Sequence, residues 1–312
     1  MGKLAYVFPG QGSQAVGMLA DLAAEHPLVE ETFKEASAAL GYDLWQLVQN
    51  GPEEQLNQTE FTQPALLTAS VAVWRVAQNS GAAKPDVVAG HSLGEYSALV
   101  AAESLQFSDA VRLVQQRGQF MQTAVPLGQG GMAAVLGLED DVVREICKKV
   151  SSGTDLVQAA NYNAPGQVVI AGSNAALEQA IEALKDAGAK RAMPLAVSAP
   201  FHSELMKPAA DKMAEVLADI AIQTPVIQII QNVDADYCVE PEQIRQNLVA
   251  QMYSAVLWTD TVQKLAADDV TVVVECGPGK VLSGLNKRID KSLESYGLSS
   301  VDALASTLEA LR

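Results

Sequence analysis

The sequence has 312 residues, of which 49% are hydrophobic, so it can bury a substantial core as one large domain or as two unequal ones. It carries 21 basic and 37 acidic residues, which gives a net charge of −16. Such a charge opposes non-specific binding to phosphate backbones and anionic lipid, and we therefore expect no nucleic-acid partner.

The sequence shows no sign of secretion or membrane insertion. Cys147, Cys238 and Cys276 are widely spaced and form no C-x-x-C pair, so we expect neither disulfide bonds nor a zinc site. The first residues contain no apolar segment as long as a signal peptide, and no later run is long enough to span a bilayer. These features predict a cytoplasmic protein with no membrane association.

The N-terminal part of the chain alternates short apolar runs with helical periodicity. A strand is predicted over 4–8, followed by a glycine turn and a helix. A buried helix is then predicted over 64–80, a strand over 85–90 and a helix over 93–105. This alternation predicts a parallel sheet covered by helices.

A different pattern begins after a glycine-rich segment. Its predicted order is strand, helix, strand, strand, helix, strand, which is the order of a ferredoxin-like unit. Longer helices and apolar strands then return, with strands predicted over 225–233 and 270–277. We therefore predict an α/β fold with an α/β-hydrolase-like large domain, residues 1–127 and 198–312, and an inserted ferredoxin-like subdomain, residues 128–197.

A candidate nucleophile lies between the strand and the helix near residue 90. Residues 90–94 match the pattern G-x-S-x-G, and the strand before them and the helix after them are the context that a nucleophile elbow requires. Ser92 is therefore the candidate nucleophile, and the backbone N–H of Leu93 is placed to stabilise an oxyanion. A simple strand-to-helix turn with Ser92 as the N-cap is the alternative.

A nucleophilic serine needs a base, and the chain contains three histidines. His26 lies in a turn before a predicted helix, and His91 adjoins Ser92, where neighbouring side chains point in different directions. His202 follows the inserted subdomain, where the chain re-enters the large domain, and by elimination it is the candidate general base. A helix-capping or core histidine is the alternative for this position.

The turn after the first strand resembles a cofactor site. Gly10, Gly12 and Ala15 match the dinucleotide fingerprint G-x-G-x-x-A. A charged helical stretch over 26–40 replaces the second strand that such a site requires, so we reject a dinucleotide cofactor. This turn can instead bring Gln11 and local N–H groups to the nucleophile as part of an oxyanion hole. We predict no cofactor and no metal.

Five motifs follow one another in the chain: GQGSQ, GHSLGEYSAL, QQRGQFM, SAPFHS and ECGPGKVLSG. In this order they resemble those of the malonyl-CoA:acyl carrier protein transacylases of bacterial type II fatty-acid synthesis, and the resemblance extends from Tyr6 to Arg288. It implies an acyltransferase whose partners are malonyl-CoA and acyl carrier protein. Coenzyme A thioester is then a substrate and not a cofactor.

The resemblance also implies roles for individual residues. Ser92 would carry the acyl group, His202 would be its base, and Gln11 and the Leu93 N–H would donate to the oxyanion. Arg117 would bind the malonate carboxylate, although helical spacing alone marks it as an ordinary surface arginine.

Three further positions complete the predicted site. In this family a backbone carbonyl orients the histidine, and Gln251 matches that position. Phe201 matches the residue that accompanies a preference for malonyl over branched extender units. His91 is expected to shape the elbow and to contribute to the substrate site.

Two alternatives to the transferase remain at this point. A serine hydrolase or thioesterase shares the elbow and would deliver the acyl group to water. A catalytically idle docking protein is disfavoured because the serine, the histidine, the arginine and Gln11 are all present.

Overall fold

The apolar runs of the sequence form two sheets in the computed structural model, which describes residues 2–197 and 199–311. Met1, Ser198 and Arg312 lie outside the described residues. Ser198 is the first residue of the SAPFHS motif, and Met1 and Arg312 are the outer limits of the predicted large domain. Within the described ranges, no helix combines the length and the hydrophobicity needed to cross a bilayer.

The strands belong to a five-stranded sheet and a four-stranded sheet. In chain order they are β1 (Lys3–Phe8), β2 (Val87–Gly90), β3 (Gly130–Leu136), β4 (Val157–Ala164), β5 (Gln167–Ser173), β6 (Arg191–Pro194), β7 (Gln228–Ile230), β8 (Val270–Glu275) and β9 (Glu294–Gly297).

The helices cover both faces of the larger sheet and one face of the smaller sheet. In chain order they are α1 (Ala20–Glu25), α2 (Leu28–Leu40), α3 (Leu44–Asn50), α4 (Glu53–Leu56), α5 (Thr59–Asn79), α6 (Gly94–Ala101), α7 (Phe107–Thr123), α8 (Asp140–Val150), α9 (Asn174–Asp186), α10 (Lys207–Ala218), α11 (Pro241–Gln251), α12 (Trp258–Ala267), α13 (Val281–Ile289) and α14 (Val301–Ala310).

The larger sheet is parallel throughout, with the order β7-β2-β1-β8-β9. In its central strand β1 the consecutive residues 5–8 are all buried. Since successive side chains of a strand point to opposite sides of the sheet, both faces of this strand are covered. Tyr6 and Phe8 join the core that contains α5, whereas Ala5 and Val7 join the core that contains Trp258. The predicted parallel sheet covered by helices is confirmed.

The smaller sheet is antiparallel, with the order β4-β5-β3-β6. Helices α8 and α9 pack on one of its faces around Val143, Ala180 and Leu184. The predicted ferredoxin-like succession of elements is confirmed. The exact limits of the subdomain, 128 and 197, stay a prediction.

Some element bounds differ from those expected from the sequence. The helix predicted over 64–80 begins earlier, at Thr59, and continues through Pro64 although proline removes one hydrogen bond from the helix. The strand predicted over 225–233 shrinks to β7, and β9 was not predicted, because both are short edge strands.

Strand β2 and helix α6 approach each other through glycines. A Cβ on Gly94 would overlap the carbonyl oxygen of Phe8, and a Cβ on Gly90 would overlap the backbone of Gly94. The two glycines of the G-x-S-x-G pattern therefore set the distance between this helix and the sheet.

Replacing Gly94 by Ala should lower the free energy of unfolding by about 1–3 kcal/mol, because backbone must shift to admit the methyl group. Gly284 is the matched control: it lies in α13, is exposed, and a Cβ there meets no atom within 4 Å. Gly284→Ala should stabilise by about 0.5–1 kcal/mol. Urea unfolding midpoints measure both, and equal shifts in the two variants would contradict the packing argument.

Candidate active site

Ser92 occupies a strained turn between β2 and α6. Its φ is 53°, a left-handed conformation that is unusual for a residue with a side chain. Its N–H donates to Asn232 Oδ1 at 2.7 Å, and Asn232 Nδ2 donates to the carbonyl of Gly90 at 2.6 Å. Asn232 thus clamps both sides of the turn, which holds the Ser92 hydroxyl at the carboxyl end of the sheet.

Ser92 and His202 form a hydrogen-bonded pair. Ser92 Oγ lies 2.7 Å from His202 Nε2, and His202 Nδ1 lies 2.8 Å from the carbonyl oxygen of Gln251. Because a carbonyl only accepts, Nδ1 carries the proton and donates to Gln251. Nε2 is then free to accept the Ser92 hydroxyl proton, which is the geometry of a general base.

The environment keeps His202 neutral. Its side chain is 3% exposed. Burial, followed by the nearby charge of Arg117, lowers the pKa of His202 to about 3. The imidazole is therefore in its base form at neutral pH.

Arg117 is buried beside the serine, so its description from helical spacing as a surface arginine is wrong. The side chain is 1% exposed. It donates to Gln63 Oε1 at 2.9 Å, to Gln251 Oε1 at 2.8 Å and to Ser92 Oγ at 3.2 Å. The site therefore places a fixed positive charge next to the serine hydroxyl.

Close packing of α5 and α7 brings Arg117 to this position. A Cβ on Gly118 would lie 2.6 Å from the carbonyl oxygen of Thr59, so only glycine lets the two helices approach this closely. Gln63 on α5 then faces Arg117 on α7.

The two candidate oxyanion donors differ in their distance along the chain from Ser92: Leu93 directly follows it, whereas Gln11 borders the same cavity from the turn after β1. The Leu93 N–H precedes α6 and has no hydrogen-bond acceptor among the described residues. Gln11 lies in the exposed turn after β1. This turn packs closely against the elbow, because Gly10 has no Cβ, and a Cβ there would overlap the carbonyl oxygen of His91. Gln11 Nε2 donates to Thr59 Oγ1 at 3.4 Å.

A cavity of about 240 Å³ opens above the serine, between the two sheets. Its lining includes the predicted residues Gln11, His91, Ser92, Arg117, Phe201 and His202, together with Gln63, Met121, Met132, Asn161, Asn163 and Val169. The small sheet thus supplies one wall of the cavity through β3, β4 and β5.

His91 lies in the cavity wall and hydrogen-bonds to the small sheet. Its Nε2 is 2.8 Å from Asn163 Oδ1, and its ring packs 5.6 Å from the Trp258 ring. Burial lowers the pKa of His91 as well. Of the three histidines, His202 is the one that hydrogen-bonds to Ser92 Oγ, and its role as the base stays a prediction.

The eight predicted site residues therefore lie together, but the sequence analysis missed the polar residues behind them. Gln63, Glu95 and Asn232 are buried and contact Arg117, Gln251 or the elbow. Each has polar neighbours in the sequence, such as Thr62, Ser97 and Gln231, so no local contrast marked these residues as buried. Within residues 2–197 and 199–311, no group of three His, Cys, Asp or Glu side chains is placed to hold a metal ion.

The chain is similar to known transacylases over its whole length. The family model of the acyl transferase domain matches residues 5–307. The malonyl CoA-acyl carrier protein transacylase of Haemophilus influenzae is 56% identical over 312 residues, which cover 100% of both chains.

Solved structures show the same similarity. An acyl carrier protein S-malonyltransferase from Vibrio cholerae superposes with a TM-score of 0.96 at 54% identity, over 97% of this chain and 99% of that chain. A malonyl-transacylase in complex with its type II PKS acyl-carrier protein superposes with a TM-score of 0.97 at 53% identity, over 99% of both chains. The chain therefore belongs to the acyl transferase domain family.

Proposed function

We propose that this protein transfers a malonyl group from malonyl-CoA to the phosphopantetheine thiol of an acyl carrier protein, through a malonyl ester on Ser92. The observation that carries the proposal is the buried guanidinium of Arg117, 3.2 Å from Ser92 Oγ, because only an acyl group with its own negative charge gains from it. The names of the relatives in Haemophilus influenzae and Vibrio cholerae support the same reaction.

The first half-reaction loads the enzyme. His202 Nε2 takes the proton of Ser92, and Ser92 Oγ attacks the thioester carbonyl of malonyl-CoA. The Leu93 N–H and Gln11 donate to the oxyanion of the tetrahedral intermediate. The C–S bond then breaks, the proton on His202 passes to the leaving sulfur, and coenzyme A departs.

The second half-reaction runs the same steps with another thiol. The carrier-protein thiol gives its proton to His202 and attacks the ester carbonyl, the C–Oγ bond breaks, and Ser92 regains the proton. The complex of a related malonyl-transacylase with its carrier protein supports this partner. No step needs a metal or a redox cofactor, since only acyl and proton transfers occur.

The remaining site residues determine the size of the acyl group that the cavity accepts and the orientation of His202. Phe201 and His91 line the cavity, and the Gln251 carbonyl fixes the tautomer of His202. We place the reaction in the cytoplasm, where the three cysteines, free and buried in the structure, stay reduced.

Intact-protein mass spectrometry tests the proposed intermediate. After mixing with malonyl-CoA, the native protein should carry one malonyl adduct and Ser92→Ala should carry none. A native protein without an adduct would exclude both the transferase and a hydrolase. An adduct that water discharges as fast as carrier protein does would favour the hydrolase.

Replacing His202 by Ala should slow formation of the adduct by about 10²- to 10⁴-fold, the usual contribution of a positioned base. His91→Ala is the control and should slow adduct formation much less, because the His91 ring hydrogen-bonds to Asn163 and not to the Ser92 hydroxyl. Rapid-quench sampling of the adduct gives both rates. If folded His91→Ala were the slower variant, the assignment of the base would be wrong.

Replacing Arg117 by Ala should lower kcat/KM for malonyl-CoA by about ten- to a hundredfold, since a charged contact contributes roughly 1.5–3 kcal/mol. Acetyl-CoA lacks the carboxylate and should lose little. Arg117→Lys should restore only part of the activity, because an ammonium lacks the planar pair of donors. An equal fall for both substrates in folded Arg117→Ala would show that the residue does not select the acyl group.

A further inference from the structure

A buried carboxylate lies behind the site, and the proposed mechanism does not use it. Glu95 follows Ser92 by three residues on α6 and is 0% exposed. It accepts hydrogen bonds from Gln231 Nε2 at 2.9 Å, from the Asn232 N–H at 2.8 Å and from Gln251 Nε2 at 3.1 Å. Its contacts therefore reach two residues that hold the serine and the arginine.

Three amide side chains form a hydrogen-bonded chain that ends at Glu95. Gln243 Nε2 donates to Asn247 Oδ1 at 2.8 Å, Asn247 Nδ2 donates to Gln231 Oε1 at 2.8 Å, and Gln231 Nε2 donates to Glu95. An amide side chain can present either its oxygen or its nitrogen, whereas an ionised carboxylate only accepts. Glu95 therefore fixes the direction of every amide in this chain.

The amide of Gln251 is oriented in the same way. Its Nε2 donates to Glu95 Oε2 and to the carbonyl of Ser92, the latter at 3.0 Å, so its Oε1 faces Arg117. If this amide were reversed, an NH₂ group would face the guanidinium, and two donors would oppose each other. Arg117 would then lose one of its three acceptors.

We propose that Glu95 is a positioning residue: as a buried side chain that only accepts hydrogen bonds, it fixes the Gln251 amide with Oε1 toward Arg117 and so holds the guanidinium beside Ser92. The inference rests on the proposed role of Arg117 in selecting a malonyl group. Glu95 does not line the cavity and acts through Gln251.

Glu95 has the charge that this role requires in mildly basic solution. Burial raises the pKa of Glu95 to about 7, against the hydrogen bonds of Asn232, Gln231 and Gln251 and the charge of Arg117, which lower it. The experiments below are therefore set at pH 8, where the carboxylate form is the larger fraction.

The test compares Glu95→Gln with a matched control. Glutamine keeps the volume but turns one acceptor into a donor. Glu275 is the control, since it is a second buried carboxylate, 1% exposed, that accepts from the Leu282 N–H and from the Ser283 N–H and hydroxyl. Any general cost of removing a buried carboxylate should be present in Glu275→Gln as well.

In Glu95→Gln the ratio of kcat/KM for malonyl-CoA to that for acetyl-CoA should fall about tenfold. Glu275→Gln should leave this ratio at the native value even if its thermal stability falls. Glu95→Asp, which still only accepts, should keep more of the ratio than Glu95→Gln. A native ratio in folded Glu95→Gln would overturn the proposal.

A double-mutant cycle separates this proposal from the function on which it rests. In the Arg117→Ala background, Glu95→Gln should not lower the ratio further, because its effect passes through the arginine. A further tenfold loss there would overturn the role of Glu95 and leave that of Arg117 intact. If Arg117→Ala alone keeps the native ratio, the proposed selection of malonyl fails, whatever Glu95 does.

If Glu95→Gln does not fold, a second variant tests the same link between Glu95 and Arg117. Gln251→Leu removes the side-chain link between Glu95 and Arg117 but keeps the carbonyl that binds His202. It should lower the malonyl-to-acetyl ratio about as much as Glu95→Gln is expected to, about tenfold. An unchanged ratio would show that this link does not hold the guanidinium.

Discussion

The buried positive charge of Arg117 determines which groups the rest of this site must contain. A buried guanidinium is costly unless other groups hydrogen-bond to it or balance its charge. Gln63 and Gln251 supply neutral acceptors, the hydroxyl of Ser92 supplies a third, and Glu95 supplies the opposite charge through Gln251 rather than by direct contact. Since the charge of Glu95 does not touch Arg117, part of the guanidinium remains available to an anionic acyl group.

The two sheets make different contributions to the same site. The parallel sheet holds Ser92, because the absence of side chains on Gly90 and Gly94 permits the sharp turn in which Ser92 adopts a φ of 53°. The antiparallel sheet closes the cavity above it, and the chain leaving that sheet carries His202 to within 2.7 Å of Ser92 Oγ. The cavity therefore lies between the Ser92 turn and a wall contributed by a separate sheet.

The sequence identified the hydrogen-bonded pair Ser92 and His202 better than the groups that support it. The G-x-S-x-G pattern and the small number of histidines led to Ser92 and His202, because local context identifies an elbow and few bases were available. Periodicity placed Arg117 at the surface, and only the resemblance assigned it to the site. Its partners Gln63 and Gln251 lie 54 residues before it and 134 after it, and such long-range pairing of side chains leaves no local pattern.

The central claim is that Arg117 binds the carboxylate of a malonyl group carried by Ser92, and a crystal structure of the loaded enzyme tests it most directly. Crystals soaked briefly in malonyl-CoA should show an ester on Ser92 Oγ whose free carboxylate lies about 2.7–2.9 Å from guanidinium nitrogens of Arg117. The hydrogen bond that now joins Arg117 to Ser92 Oγ should be replaced by these contacts. An ester whose carboxylate points to solvent, or an acyl group on another side chain, would contradict the account.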